Sequence, residues 1–292
     1  MPVLEAAWQH ESIATNGIKL HYVTQGSGPL MLMLHGFPEF WYSWRHQIPE
    51  FASDYQVVAV DLRGYNDSEK PPDKSAYVMA EFVKDVKGII QGLGYESCIL
   101  VGHDWGGAIA WNFAYDYPQM VDKLIILNLP HPAKFAEGLR TPQQLLKSWY
   151  ILFFQLPVLP ELLIQLGDYQ ALEIALKGMA VDKSIFTPAD IEAYKDAAAK
   201  RGALTATINY YRNLVRGFLD RATWSVLEVP TLMIWGENDL ALGKELTYGT
   251  EDYVRDLQIH YIPNCSHWVQ QEKPELVNRY MRDFLANKVV TM

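Results

Sequence analysis

The sequence predicts an α/β protein in which a mainly parallel β-sheet carries helices on both faces. Short β-branched or apolar runs alternate with helical patterns along most of the chain, and polar motifs directly follow several of the predicted strands. The alternation stops at about residues 131–222, where no β-like run occurs. We therefore predict a core domain made of residues 1–130 and 223–292, with an all-helical cap domain inserted at residues 131–222.

The predicted strands are short runs bounded by turn signals. The first two, Ile18 to Thr24 and Leu30 to His35, flank the turn residues Gly26-Ser27-Gly28-Pro29 and predict an antiparallel hairpin at the edge of the sheet. Later strands are expected at residues 56–60, 97–101, 123–129, 231–235 and 257–262. Helices are expected at about residues 79–93, 106–117 and 274–286, the last beginning with Pro274.

The inserted segment consists of amphipathic helical patterns separated by Pro157, Pro160, Gly167 and the start signal Thr187-Pro188. Ligands of open α/β sheets bind beyond the carboxyl ends of the strands. Helices placed over that edge would close a pocket, so we interpret the insertion as a lid.

Composition excludes several classes of partner. The net charge of -9 argues against nucleic acid, because Lys and Arg drive phosphate binding. No run reaches the length of a membrane span, and the N-terminal residues lack the pattern of a signal peptide. The two cysteines, Cys98 and Cys265, form no metal-binding motif and are typical of a reducing compartment. We expect a cytoplasmic protein without metal or cofactor; its oligomeric state is left open.

Residues 102–107, Gly-His-Asp-Trp-Gly-Gly, place Asp104 in a turn between a predicted strand and a predicted helix. The spacing G-x-D-x-G is that of a nucleophile elbow, in which a serine more commonly stands. Taken alone, the motif is equally typical of an aspartate that caps the following helix.

Asp239 and His267 also follow predicted strands, at the carboxyl edge of the sheet. Taken separately, Asp239 is also typical of a turn residue and His267 of a structural histidine. Together with Asp104, however, they occur in the chain order nucleophile, acid, histidine of the α/β-hydrolase fold. We therefore predict that fold, with Asp104, Asp239 and His267 as its catalytic triad.

The segment His35-Gly36-Phe37-Pro38 follows another predicted strand. In this fold, one backbone N–H from that loop and one from the residue after the nucleophile bind an oxyanion. We predict that Phe37 and Trp105 supply these two N–H groups. His35 is interpreted as structural.

An aspartate nucleophile determines the class of reaction. The carboxylate is ionised at neutral pH without help, since its reference pKa is about 3.9. Attack on an acyl carbon would give an unstable anhydride, whereas attack on a saturated carbon gives an alkyl ester. His267, oriented by Asp239, would then activate the water that hydrolyses the ester. Both an epoxide oxygen and a halide are suitable leaving groups.

The sequence resembles the α/β-hydrolase-fold epoxide hydrolases over essentially its whole length. His35-Gly36-Phe37-Pro38-Glu39 with Trp41-Tyr42-Ser43-Trp44-Arg45 is similar to their oxyanion-loop segment, and residues 102–107 are similar to their nucleophile segment. Tyr150 to Pro157 and Tyr211-Arg212-Asn213 resemble the segments that hold the paired ring-opening tyrosines of that family. One departure is Asn66, where the family more often has glycine; asparagine tolerates a left-handed backbone.

This resemblance implies an eight-stranded, mostly parallel sheet with a helical cap, and an enzyme that needs no cofactor. It implies Asp104 as nucleophile, Asp239 and His267 as acid and base, and Tyr150 and Tyr211 as donors to the epoxide oxygen. Tyr210 is the alternative to Tyr211 if the register differs by one.

The resemblance also implies a role for Glu39 in positioning the hydrolytic water, with a surface or helix-capping role as the alternative. The expected substrates are water and a small apolar epoxide. The expected pocket residues are Phe37, Trp105, Phe153 and Phe154, although aromatic residues of the lid are also typical of a lid core.

Two rival interpretations remain. Haloalkane and haloacid dehalogenases use the same aspartate nucleophile, but many haloalkane dehalogenases have asparagine at the position of Phe37, and fluoroacetate dehalogenases typically have arginine at the position of Trp105. A non-catalytic ligand-binding protein of the same fold is the other class. Such proteins often lose triad members, whereas all three are present here.

Overall fold

The computed structural model describes residues 8–217 and 223–287 and contains one eight-stranded sheet. The strands lie in the order β1-β2-β4-β3-β5-β6-β7-β8, and of these only β2 runs opposite to the others. The predicted fold class is therefore confirmed. The strand bounds are β1 Gln9–Thr15, β2 Ile18–Gln25, β3 Leu30–Leu34, β4 Gln56–Val60, β5 Cys98–His103, β6 Val121–Leu127, β7 Thr231–Gly236 and β8 Leu257–Ile262.

The predicted hairpin between the runs at 18–24 and 30–35 is wrong. β2 pairs with β1 and β4, and β3 lies between β4 and β5. The hairpin that does form joins β1 to β2 through Asn16 and Gly17, which both have positive φ. Asn-Gly is the preferred pair for such a two-residue turn. β1 was missed because its residues are mostly exposed and polar, so that no apolar run marks it.

Helices cover both faces of the sheet, as predicted. Those expected at 79–93, 106–117 and 274–286 are confirmed as α2, α3 and α11. The helix bounds are α1 Gln47–Phe51, α2 Met79–Gly92, α3 Trp105–Asp116, α4 Pro132–Gly138, α5 Pro142–Lys147, α6 Trp149–Phe153, α7 Leu159–Met179, α8 Pro188–Ala199, α9 Ala203–Gly217, α10 Val269–Glu272 and α11 Pro274–Leu285.

The central strands are buried on both faces, as is typical of a parallel sheet covered by helices. In β3, Leu30, Leu32 and Leu34 pack into one core with α2 and α3, whereas Met31 and Met33 pack into a second core with α1 and α11. This burial holds the carboxyl ends of β3, β5, β6 and β7 side by side, where the polar loops begin.

Helices α4 to α9 lie between β6 and β7, and no strand occurs in the described part of that segment. The chain turns sharply inside α7 at the predicted breaker Gly167, where residues 167–169 all have positive φ. The domain boundaries stay a prediction, since residues 218–222 lie outside the described part of the chain. No helix within residues 8–217 and 223–287 is both long and apolar enough to cross a bilayer.

Candidate active site

Asp104 occupies a strained turn between β5 and α3. Its φ of 48° and ψ of −121° are unusual for a residue with a side chain, and such strain is characteristic of functional sites. The turn depends on its flanking glycines. A Cβ atom on Gly106 would lie 2.1 Å from the carbonyl oxygen of Leu34. The Asp104 carboxylate is thereby held above the edge of the sheet.

The structure brings the three predicted triad side chains together. The imidazole Nδ1 of His267 lies 2.6 Å from Asp239 Oδ2, and its Nε2 lies 3.7 Å from Asp104 Oδ2. Asp239 and His267 are almost completely buried, whereas the Asp104 side chain keeps 13% of its surface exposed. His267 therefore lies between one buried carboxylate and one that is open to a ligand.

Asn128, which has no role in the site predicted from the sequence, supports Asp239, the acid of the predicted triad. Its Nδ2 donates to Asp239 Oδ2 at 2.8 Å, and its Oδ1 accepts the N–H of Gly236 at 2.9 Å. The other oxygen of Asp239 accepts the N–H groups of Ala241 and Leu242. The only sequence signal for Asn128 is its position directly after β6, at the carboxyl edge of the sheet.

The predicted oxyanion donors lie beside Asp104. The N–H of Phe37 donates to Asp104 Oδ1 at 2.8 Å. Trp105 is the first residue of α3, so its N–H has no acceptor within the helix. The loop can approach this closely because residue 36 is glycine, on which a Cβ atom would lie 2.3 Å from that of Asp104.

The electrostatics of the site favour a charged pair at Asp239 and His267. Burial alone would lower the pKa of His267, but Asp239, Asp104 and Glu39 outweigh it and raise that pKa to about 9. Burial would raise the pKa of Asp239, but His267 and Asn128 hold it below the usual range. The imidazole is thus protonated at neutral pH while Asp104 carries its charge.

Tyr150 and Tyr211 extend from α6 and α9 towards Asp104, with ring centroids 5.8 Å apart. Burial, followed by the charge of Asp104, raises the pKa of both phenols. Both hydroxyls are therefore protonated and able to donate. Tyr210 is placed differently: its hydroxyl donates to the carbonyl of Arg63 at 2.6 Å and its ring stacks on Phe82.

A cavity of about 320 Å³ opens above Asp104 and is lined by both tyrosines and by His267. Phe37 and Phe154 line it as predicted. Trp105 instead lines a smaller cavity of about 30 Å³ on the other side of the same tyrosines. Phe153 lines neither of these two cavities and packs against Trp149 and Phe154.

Glu39 is buried, so the alternative of a surface role is wrong. Its carboxylate accepts four hydrogen bonds, from Gly36 N–H, His103, Gln270 and Gln271, at 2.7 to 3.1 Å. His103 in turn contacts the carbonyl of His267 at 2.9 Å. Glu39 thus connects the loop after β3 with β5 and α10, and through His103 it is linked to the loop that holds His267.

The contacts of His35 agree with a structural role. Its Nε2 accepts the N–H of Leu62 at 3.1 Å, and burial lowers its pKa. Cys98 and Cys265 are free and buried.

One group of described residues, His21, Asp61 and Asp67, brings potential metal ligands within 4.8 Å of one another. His21 Nδ1 lies 2.6 Å from Asp61 Oδ2, and Asp61 also accepts the N–H of Trp41. We interpret this group as hydrogen-bonding support for the loop after Glu39.

Comparison with known proteins agrees with this geometry. A family model described as alpha/beta hydrolase fold matches residues 29–274. Epoxide hydrolase 3 of Xenopus tropicalis is 45% identical over 92% of this chain and 75% of its own length. Epoxide hydrolase 4 of Homo sapiens is 43% identical over 94% of this chain and 78% of its own length.

A solved structure gives the same result. The crystal structure of the epoxide hydrolase of Bacillus megaterium in complex with an inhibitor is 41% identical and superposes with a TM-score of 0.90, covering 94% of this chain and all of that one. The chain therefore belongs to the α/β-hydrolase-fold family of epoxide hydrolases.

Proposed function

We propose that the protein hydrolyses small apolar epoxides to vicinal diols, with Asp104 as the nucleophile. The observation that carries this proposal is the pair of protonated tyrosines, the partly buried Tyr150 and the buried Tyr211, which face Asp104 across the same cavity. An epoxide needs an attacking carboxylate on one side and an acidic O–H on the other, and this cavity supplies both.

In the first step, a carboxylate oxygen of Asp104 attacks a ring carbon of the epoxide. The carbon–oxygen bond of the ring breaks, and its electron pair goes to the epoxide oxygen. Tyr150 and Tyr211 donate hydrogen bonds to this oxygen, and it takes a proton from one of them. Charge that develops during the step is stabilised by donors that are already in place.

In the second step, His267 activates water against the ester on Asp104. Ester formation removes the Asp104 charge that helps to raise the pKa of His267, so the imidazole becomes a better base at this stage. The oxygen of Asp104 that Phe37 N–H already contacts becomes the oxyanion as water attacks the carbonyl carbon. Before water attacks, the imidazolium gives up its proton, which restores the tyrosine hydroxyl. Neutral His267 then takes a proton from the attacking water and passes it to the departing diol oxygen. The diol leaves and the carboxylate of Asp104 is restored.

The cavity fits a small apolar substrate. Its volume of about 320 Å³ is at the lower end of small-molecule sites. Phe37, Trp149, Phe154 and Leu240 form apolar walls, and Trp149 and Leu240 are more than half exposed towards the solvent. The relatives with which the chain shares most of its sequence are named epoxide hydrolases, which supports the same substrate class.

We expect diol release from a styrene-oxide-type epoxide and no halide release from a terminal haloalkane when the two are assayed side by side. A halide needs N–H donors, but Phe37 carries none in its side chain, and the Trp105 side chain hydrogen-bonds Tyr211. Halide release at a rate comparable to diol formation would favour the dehalogenase alternative instead.

Replacing Asp104 by asparagine is expected to lower the pKa of His267 below its value of about 9. The substitution removes the negative charge beside Nε2 but leaves Asp239 in place, as ester formation does. The neutral, basic form of His267 then dominates over a wider pH range. The same lowering of the pKa is expected in the ester intermediate, so that hydrolysis of the ester should accelerate as the pH rises through the lowered pKa of His267.

NMR titration of the His267 imidazole measures this shift directly. Asp54→Asn is the matched control, because that carboxylate is exposed and pairs with Arg282 far from the site. An unchanged or raised pKa of His267 in Asp104→Asn would refute the proposed coupling.

A further inference from the structure

The first half of α7 presents its leucines to the solvent rather than to the core. Leu159, Leu162, Leu163 and Leu166 recur at the spacing i, i+3, i+4, i+7, which places them on one face of the helix. Each of these side chains is 43–62% exposed. In a surface helix of a globular protein such a stripe normally faces the interior, so this face is unusual and calls for an apolar partner.

A charged residue on the inner side of the same helix fixes this orientation. Glu161 is buried, and its Oε1 pairs with Nη1 of Arg212 on α9 at 2.8 Å. The same guanidinium donates to the carbonyls of Phe154 and Leu156, at 3.0 and 2.8 Å. Turning the leucines inwards would break the buried ion pair, which is strongly destabilising, and would remove Ile164 from the core.

The exposed apolar surface continues onto the two helices before α7. Most of the large hydrophobic side chains that are exposed in the described part of the chain lie within residues 145–181. We define the apolar cap face as the four leucines of α7 together with Leu145, Leu146, Trp149 and Leu152 of α5 and α6. At about half exposure, these side chains together exceed roughly 300–600 Å², the size of the largest apolar patch on a typical monomer.

The apolar cap face carries little charge. The only charged residues between positions 145 and 166 are Lys147 and Glu161, and Glu161 is directed inwards to its arginine. Lys147 forms no ion pair with the described residues, and its Nζ contacts the carbonyl of Asp239 at 3.3 Å. A lysine close to an exposed tryptophan is typical of surfaces that lie at the boundary of a lipid bilayer.

The mouth of the substrate cavity opens at the apolar cap face. Trp149 and Leu240 line the cavity and are 62% and 59% exposed. A second protein molecule seated on this face would cover the mouth and block the entry of substrate, whereas a lipid surface dissolves apolar substrates and can supply them. The position of the mouth therefore favours lipid as the occupant. Contact is made at the surface of the bilayer, because no described helix can cross it.

We propose that the apolar cap face docks on the surface of a phospholipid bilayer, from which apolar epoxides pass into the substrate cavity. The inference rests in part on the function proposed above, which makes the substrate an apolar epoxide. The leucines enter the boundary between headgroups and acyl chains, and Lys147 reaches the lipid phosphates. Because the net charge of the protein is -9, anionic lipid repels the molecule as a whole, and docking depends on the apolar area that is buried.

Flotation with phosphatidylcholine vesicles tests docking without reference to activity. We expect the wild-type protein to float with the vesicles. In the double variant Leu162→Gln with Leu166→Gln, binding should be at least about tenfold weaker, since burial of these two leucines is a large part of the favourable free energy. Neither residue lines the substrate cavity.

The double variant Val226→Gln with Tyr248→Gln is the matched control. Both residues are exposed hydrophobics that lie outside the inserted helices, so this protein should float as the wild type does. The unfolding midpoints of both double variants should match that of the wild type, because substitutions at exposed positions change stability little.

Hydrolysis then connects docking with the supply of substrate. With 1,2-epoxydodecane dissolved in the vesicles, diol formation by the leucine variant should be at least about tenfold slower than by the wild type, in proportion to the lost binding. With a styrene-oxide-type epoxide in buffer without vesicles, the two proteins should have equal rates.

A wild-type protein that stays unbound at millimolar lipid, or a leucine variant that floats as well as the wild type, would overturn the proposal. A wild-type dimer in analytical ultracentrifugation that becomes monomeric in the leucine variant, with no vesicle binding by either, would also overturn it by assigning this face to a second copy of the chain. Failure of the proposed function is seen separately, as the absence of diol from the styrene-oxide-type epoxide in buffer without vesicles.

Discussion

Replacing His267 by glutamine is expected to arrest the enzyme as an alkyl ester on Asp104. The first step needs only the carboxylate and the tyrosine donors, whereas the second needs a base that removes a proton from water. Loss of a general base costs about 10²- to 10⁴-fold in rate. Turnover should fall by that factor while the ester accumulates to nearly one equivalent.

Mass spectrometry of the intact protein after mixing with an epoxide measures this accumulation. His260→Gln is a suitable control, because that histidine lies on β8 and stacks on Tyr280 away from the cavity; it should turn over normally. If His267→Gln loses activity without any mass increase on Asp104, the two-step scheme fails.

The double substitution Tyr150→Phe with Tyr211→Phe is expected to abolish ring opening. Both rings would keep their packing, but the epoxide oxygen would lose the two donors that stabilise its developing charge. Loss of such a donor typically costs about 10²- to 10³-fold each, so we expect ester formation to fall at least a hundredfold. Each single variant should retain part of the activity.

Rapid-quench measurement of ester formation checks this prediction, with circular dichroism to verify the fold. Tyr210→Phe is the matched control, because Tyr210 neighbours Tyr211 in the sequence but its hydroxyl donates to Arg63. A double variant that forms the ester at the wild-type rate would show that other groups protonate the oxygen.

The proximity of the three predicted triad residues could be predicted from the sequence because each of them follows a strand. Asp104 stands directly after β5, and Asp239 and His267 lie in the loops that follow β7 and β8. Parallel strands bring their carboxyl ends to one edge. Local turn chemistry reinforced the prediction at Asp104, where glycines are required on both sides. The geometry of these residues agrees with the order of the motifs along the chain.

The supporting groups could not be predicted because their contacts link distant parts of the chain. Asn128 bonds Asp239 across 111 positions, and Gln271 bonds Glu39 across 232. Neither residue belongs to a motif that identifies its partner. The hydrogen bonds of Glu39 likewise depend on β5 and α10, which meet it only in the folded protein.

The choice between two adjacent tyrosines could not be made from the sequence for a different reason. Tyr210 and Tyr211 differ by one position in α9, which on a helix turns their side chains by about 100°. Only tertiary packing decides which of the two faces the cavity. Tyr210 is turned away from it because its ring stacks on Phe82 and its hydroxyl donates to the carbonyl of Arg63. Strand β1, at the edge of the sheet, could not be predicted because its residues are mostly exposed and polar. The pair Asn16-Gly17 is nevertheless typical of the turn that joins β1 to β2.

In the proposed mechanism, Asp104 itself gives an oxygen atom to the product. A single turnover with excess enzyme in water enriched in ¹⁸O tests it most directly, with both the diol and the Asp104 peptide analysed by mass spectrometry. The scheme predicts that the first diol carries no label and that the label appears in the carboxylate of Asp104. Label in the diol of the first turnover, with an unlabelled Asp104, would mean direct attack by water and would contradict the scheme.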